Sequence, residues 1–198
     1  MHHLVAVITN IEADHLEAYD EDCDQLIRAF DEFLKRLPFY GLAMLCADDP
    51  VLQDLRKGVS NPVVTYGPSL GADYRAVDIR QKGQKMYFCL CMPGESNVEV
   101  ELALAGKHNV LNALAAIGIA HQLGVDLAPI LKTLSQFQGV GRRFEVLGEL
   151  VIGQGKALLV DDYAHHPTEL AATLDAAQNC WPERRRVVVF QPLSLIHT

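Results

Sequence analysis

Apolar and polar positions follow two different rhythms along this chain. Residues 4–8 form a continuous apolar run, the pattern of a strand buried on both faces in the middle of a parallel sheet. Cys23, Leu26, Ile27, Phe30, Phe33, Leu34 and Leu37 then recur at spacings of three and four. That spacing predicts an amphipathic helix, stopped by Pro38 and Gly41. An acidic stretch over 17–24 supplies its N-terminal region. Residues 42–46 read as a short buried strand. Asp48, Asp49 and Pro50 open a short helix through Leu55, and 63–67 form the next strand. Strand, helix, strand, helix, strand implies parallel pairing.

The rhythm then changes. Residues 73–80, 85–92 and 98–104 read as three β segments joined by short turns, an antiparallel meander attached to the sheet. Residues 110–123 predict a nearly all-apolar helix buried on most sides and ended by Gly124. Asp126 starts another, with Pro129 in its first turn. The glycine-rich, basic stretch over 138–144 reads as a hinge. Beyond it come strands near 145–151 and 156–161, a helix from Pro167 to about Asn179, and a strand over 187–190. This predicts a fresh βαβ unit that stops after one crossover.

Composition narrows the possibilities. The chain has 198 residues, 49% of them hydrophobic, enough for one large or two small domains. A net charge of −8 argues against a general nucleic-acid or membrane-surface binder. It leaves room for a phosphorylated ligand, which a few local cations and a metal suffice to hold. Five scattered cysteines with no CxxC pair read as reduced thiols in a cytoplasmic protein. No apolar run reaches the ~18 residues of a membrane span.

Four polar clusters fall at element ends. Asn10, Glu12, Asp14 and His15 follow the first strand, where carboxylates and an imidazole can ligate Mg²⁺ or cap a helix. Gly106, Lys107, His108 and Asn109 sit before the apolar helix, whose N-terminal N–H groups suit an anion or nucleotide. Asn109 also suits an N-cap. Asn112, one turn on, is a polar residue inside an apolar helix and calls for a partner. Arg142 and Arg143 in the hinge suit phosphate neutralisation or form a solvated pair. The fourth cluster runs from Val160 to Glu169. Asp161 and Asp162 suit a cation, Tyr163, His165 and His166 suit a substrate, and Pro167 opens a helix. It lies at the carboxyl end of a strand, where open α/β sheets bind ligands. No G-x-x-x-x-G-K-[ST] phosphate loop occurs in the chain.

With these residues in view, the chain resembles the Mur ligase family. The matching motifs are Thr9-Asn10-Ile11-Glu12-Ala13-Asp14-His15, Leu37-Pro38-Phe39-Tyr40-Gly41, Gly106-Lys107-His108-Asn109-Val110-Leu111-Asn112, Gly139-Val140-Gly141-Arg142-Arg143-Phe144 and the 160–169 stretch, in family order. The resemblance implies an α/β fold: a partial central ATP-binding domain over 1–143, with mainly parallel sheet and a meander, then the start of a Rossmann-like C-terminal domain over 144–198. It implies an ATP- and Mg²⁺-dependent ligase of peptidoglycan precursor synthesis, in the cytoplasm. In the branch that the motifs resemble most, the carboxylate of UDP-N-acetylmuramate takes the γ-phosphoryl of ATP, and the amine of L-alanine then displaces phosphate. His15 resembles a Mg²⁺ ligand and, with Arg143, the catalytic set. His108, Asn109 and Asn112 resemble the adenine-holding motif. Arg142 or Arg143, with Arg143 preferred, resembles the phosphate contact, and Asp162 a group near ribose and phosphates. Tyr163 and His165, with His166 beside them, resemble the substrate side.

The departures carry expectations too. The family's UDP-binding domain, its phosphate loop and the Glu that helps hold the first Mg²⁺ have no counterpart among these residues, so the chain alone is expected to have little or no ligase activity. Residues 193–198 diverge from the family and are expected to carry no function. Competing readings are a ligase joining a preformed tripeptide to the same muramate, a metal-dependent hydrolase built on His15, Asp161, Asp162, His165 and His166, and a non-catalytic fragment that self-associates through an exposed sheet edge.

Overall fold

The computed structural model describes residues 4–12, 19, 22–153 and 155–191. Two sheets are present among them. The first has six strands in chain order: β1 (Val5–Ile8), β2 (Leu42–Cys46), β3 (Val63–Gly67), β4 (Tyr74–Lys82), β5 (Lys85–Cys91) and β6 (Val98–Leu102). β1 to β4 pair in parallel, and β4, β5 and β6 pair antiparallel. The mixed α/β architecture thus follows the two rhythms of the sequence. The crossovers are α1 (Cys23–Lys35) and α2 (Pro50–Arg56). Asp22 caps α1 by accepting from the Asp24 N–H, and Asp49 caps α2 by accepting from the Leu52 N–H.

α3 (Lys107–Gln122) lies against β2, β3 and β4, and α4 (Leu127–Gln136) against β6. Small residues let α3 approach closely. A Cβ on Gly118 would come within 2.6 Å of the Met44 Cε. Leu114 and Ile117 are fully buried there with Tyr66, Tyr74 and Phe88, and each such side chain contributes about 1.5–3 kcal/mol of burial. The Tyr74 hydroxyl reaches the His121 Nδ1 at 2.7 Å, so its polar end is satisfied at the core's edge.

The second sheet is an antiparallel pair, β7 (Glu145–Ile152) and β8 (Gly155–Asp161), followed by α5 (Pro167–Cys180). α5 leans on β4 and α3. Ala105, Ala176 and Cys180 form a small buried cluster there, flanked by the stacked rings of Phe144 and Trp181. Across this seam the Gln81 amide donates to the Ala176 carbonyl at 3.2 Å, and the Cys180 thiol donates to the Gly83 carbonyl at 3.2 Å.

Among the described residues β1 is the edge of the six-stranded sheet, and Val7 is exposed on one face. Two expectations need correction. The helix expected from 110 starts at Lys107, because Gly106 at φ +92° turns the chain and leaves Lys107 free to enter the helical region. The strand expected over 187–190 makes no ladder. Parallel strands persist when both faces are covered, and here Val189 is 94% exposed. The crossover from β8 through α5 therefore ends in extended chain.

Candidate functional site

The seam between the two sheets is built from the hinge. Gly139, Arg142 and Phe144 all take positive φ, and the chain reverses there. Asp162 locks this turn from the other side. Its carboxylate accepts from the Phe144 N–H and the Ala164 N–H, each at 2.7 Å. The Tyr163 N–H adds a bond to the Arg142 carbonyl at 2.8 Å. Asp162 is therefore an organising acceptor for the backbone.

The two arginines diverge. The Arg142 guanidinium lies over the Tyr163 ring, 4.9 Å from its centre, and its Nε is 3.7 Å from Asp161. Arg143 turns the other way. Its Nη1 is 3.4 Å from Glu169, and its charge is felt by His108. Burial holds the His108 imidazole below its usual pKa; Asp162 opposes this and Arg143 reinforces it. His108, Arg143 and Asp162, drawn from three separated stretches, thus share one electrostatic neighbourhood.

The start of α3 is a cradle. A Cβ on Gly106 would fall 2.6 Å from the His108 Cε1 and 3.2 Å from the Ala176 Cβ. Only glycine lets the His108 ring fold back over the helix start. Asn109 is not the N-cap, which is Gly106; its amide instead donates to the Ala105 carbonyl at 2.7 Å. Asn112 is exposed. The expectation that it needs a protein partner is wrong, because the polar residue takes the helix's one solvent-facing stripe.

On the 160–169 side, Tyr163 is exposed and packs edge-on against the His165 ring at 5.5 Å. The His165 Nδ1 lies 3.2 Å from the Tyr163 carbonyl. His166 is the N-cap residue of α5, and its Nδ1 reaches Glu12 at 3.3 Å, joining this cluster to the loop after β1. That loop is itself held by Asp49, which accepts from the Ile11 N–H at 3.0 Å. His15 lies outside the described residues.

Glu169 was given no role in the sequence reading. Burial alone would raise its carboxyl, but the N–H groups of His165 and His166 and the Arg143 guanidinium outweigh that and hold it below the ordinary value. The spacing His166-x-x-Glu169 behind Pro167 is the signal for such a helix-start acceptor. Among the described residues, no group of three or more His, Cys, Asp or Glu is placed to hold a metal, and no helix is long and apolar enough to cross a membrane. The arrangement offers a cation, a fixed amide and a helix N-terminus near an acidic and aromatic lip, which suits an anion such as a phosphate group.

Residues 2–120 match the Mur ligase middle domain, and residues 142–195 the Mur ligase, glutamate ligase domain. The UDP-N-acetylmuramate--L-alanine ligase of Xylella fastidiosa (strain M12) is 53% identical over 190 residues, covering 96% of this chain and 40% of the relative. Its namesake in Halorhodospira halophila (strain DSM 244 / SL1) is 53% identical over 189 residues, covering 96% and 39%. The solved UDP-N-acetylmuramate-alanine ligase of Thermotoga maritima superposes with a TM-score of 0.78 at 31% identity, covering 96% of this chain and 41% of that one. The chain thus spans about 40% of the length of the curated relatives it matches.

Proposed function

The chain belongs to the Mur ligase family, and from that premise we propose that it carries the nucleotide wall and part of the substrate lip of a ligase joining L-alanine to UDP-N-acetylmuramate through an acyl phosphate. The observation that carries this reading is the meeting of His108, Arg143 and Asp162 at the seam. In this reading the helix start that holds the adenine lies beside the cation that takes the phosphates.

In this reading residues 1–143 form a central ATP-binding domain and 144–198 the start of a C-terminal domain. His108, Asn109 and Asn112 hold the base. Arg143 takes the phosphates while Arg142 supports Tyr163. Asp162 acts through the backbone it organises and faces the ribose side. Tyr163, His165 and His166 line the substrate side. Bound Mg²⁺ supplies charge neutralisation at the transferring phosphoryl. The described residues offer no three-ligand cage, but Mg²⁺ commonly takes one or two protein ligands plus phosphate oxygens. The fit is therefore to a shared site, with His15 as the chain's own candidate ligand. A cytoplasmic location accords with free thiols throughout. Self-association through the β1 edge is the accompanying proposal for assembly, checked by light scattering.

Calorimetry with ADP on the 198-residue chain tests the nucleotide wall. Arg143→Ala is expected to weaken binding about tenfold, the value of one charge-assisted contact. No binding by the unaltered chain, or none of this loss, would sink the assignment. Phosphate release with ATP, UDP-N-acetylmuramate and L-alanine is expected to stay far below that of a full-length ligase, because no phosphate-loop motif occurs in these residues.

A further inference from the structure

β5 alternates strictly. Met86, Phe88 and Leu90 point into the core, while Tyr87, Cys89 and Cys91 stay partly open on the opposite face. Cys89 and Cys91 are both free and half-buried on that shared face. Two thiols therefore stand side by side on one strand face. They are poor partners for a disulfide with each other. Same-face neighbours on a strand are about 6.6–6.8 Å apart, and their Cβ vectors run parallel instead of converging. The strand is held on both sides, with Cys89 opposite Val77 and Glu99 and Cys91 opposite Arg75. The spacing of the thiols is thus set before any ligand arrives.

We propose that Cys89 and Cys91 form a two-point modification site for trivalent organoarsenicals, the electrophiles that close a ring across two adjacent thiols. Both sulfurs attack one arsenic. Two As–S bonds form, the As=O bond breaks, and its oxygen leaves as water with both thiol protons. Arsenic remains trivalent, so no oxidant or reductant is needed. Pyramidal As(III) accepts two sulfurs on the same side at a narrow angle, which this pair offers. A linear two-coordinate ion would need them on opposite sides.

The surroundings select further. Cys89 is held above the usual thiol pKa by burial, by Cys91, and by the nearby Glu99 and Asp78 carboxylates. Neutral thiols beside two acids favour an uncharged reagent over an anionic one. Among the described residues no third metal-ligating side chain joins the pair: Glu99 is engaged by Arg80, and the Arg75 Nε donates to the Pro68 carbonyl at 3.2 Å. A site with two soft donors and no third suits arsenic better than zinc. Cys46 and Cys180 are buried, and Cys23 is exposed at the start of α1 without a thiol neighbour on its strand or helix turn.

Phenylarsine oxide added to the 198-residue chain, read by intact mass and peptide mapping, tests the proposal. The expected product is one adduct on the peptide carrying both cysteines. It should bind roughly a hundredfold tighter than in Cys89→Ser or Cys91→Ser, the gain from a second intramolecular contact. Cys23→Ser should retain it. 2,3-Dimercaptopropanol should remove the adduct, and the same thiol concentration of 2-mercaptoethanol should not. An adduct mapping to Cys23, or single variants binding as tightly as the unaltered chain, would overturn the site. Melting curves accompany each variant. Where a variant is unfolded, reversal on the unaltered chain decides, and removal by the monothiol as readily as by the dithiol overturns it.

Discussion

The six-stranded sheet and the β7–β8–α5 unit are built from the same residue types but stand on different footings. α3 buries residues against three strands at once, and its core joins α1, α2 and every strand of the sheet. Of the smaller unit's described residues only Ala164, Ala176 and Cys180 are buried hydrophobics, the last two clustering with Ala105 across the seam, and Val151 and Ile152 stay exposed on β7. The first supports itself. The second depends on a seam of few contacts, and the candidate site lies along that seam. A site placed there can be opened or closed with little cost to the core, since the least stable contacts are the ones that move.

Breaking the core should have the largest effect. Leu114→Ala removes a fully buried side chain and is expected to cost about 2–5 kcal/mol, seen as a lower urea midpoint for the whole chain. A loss confined to the β7–β8–α5 unit would contradict the comparison. Next comes the seam itself. Ala176→Leu overpacks the contact with Ala105 and Gly106 and should cost about 1–3 kcal/mol. Proteolysis within 138–144 should rise sharply while the core transition holds; unchanged cleavage would show that the seam does not secure the hinge.

Asp162→Ala strands the Phe144 and Ala164 N–H groups and is expected to cost about 1–3 kcal/mol, with faster amide exchange at those two positions. Asp162→Asn keeps an acceptor and should recover part of this. If both variants exchange like the parent, the hinge is held by something else. The smallest effect concerns pH. His108 titrates lower in the folded chain than its usual 6.5. As pH falls below that value the unfolded chain takes up the proton first, so stability drops; above it His108 contributes no slope. His108→Gln should flatten the stability profile just below pH 6.5, measured by denaturant titration at several pH values. An unchanged profile would mean that the imidazole is not held neutral at the seam.

Much of the fold was legible. The three- and four-residue spacing of Cys23, Leu26, Phe30 and Leu34 gave α1, the Asp49-Pro50 start gave α2, and the shift to short alternating segments gave the meander. The strand over 187–190 failed because an apolar run specifies a tendency, while a ladder needs a covered neighbour. Asn112 failed for a related reason: periodicity identified the helix but not its single exposed stripe. Of the site, the motifs were readable and their roles only in part. Glu169, to which no role was assigned from the sequence, gathers His165, His166 and Arg143.

By itself the sequence determined the order of most elements, the family and the stretches that meet at the seam, because periodicity, capping and motif spacing act over a few residues. Only the tertiary structure decided that Arg142 stacks on Tyr163 while Arg143 faces His108, that Asp162 ties Phe144 to Ala164, and that His166 meets Glu12. Those contacts join residues far apart in the chain. Each is selected by packing and charge at a shared seam, and no local pattern carries that information.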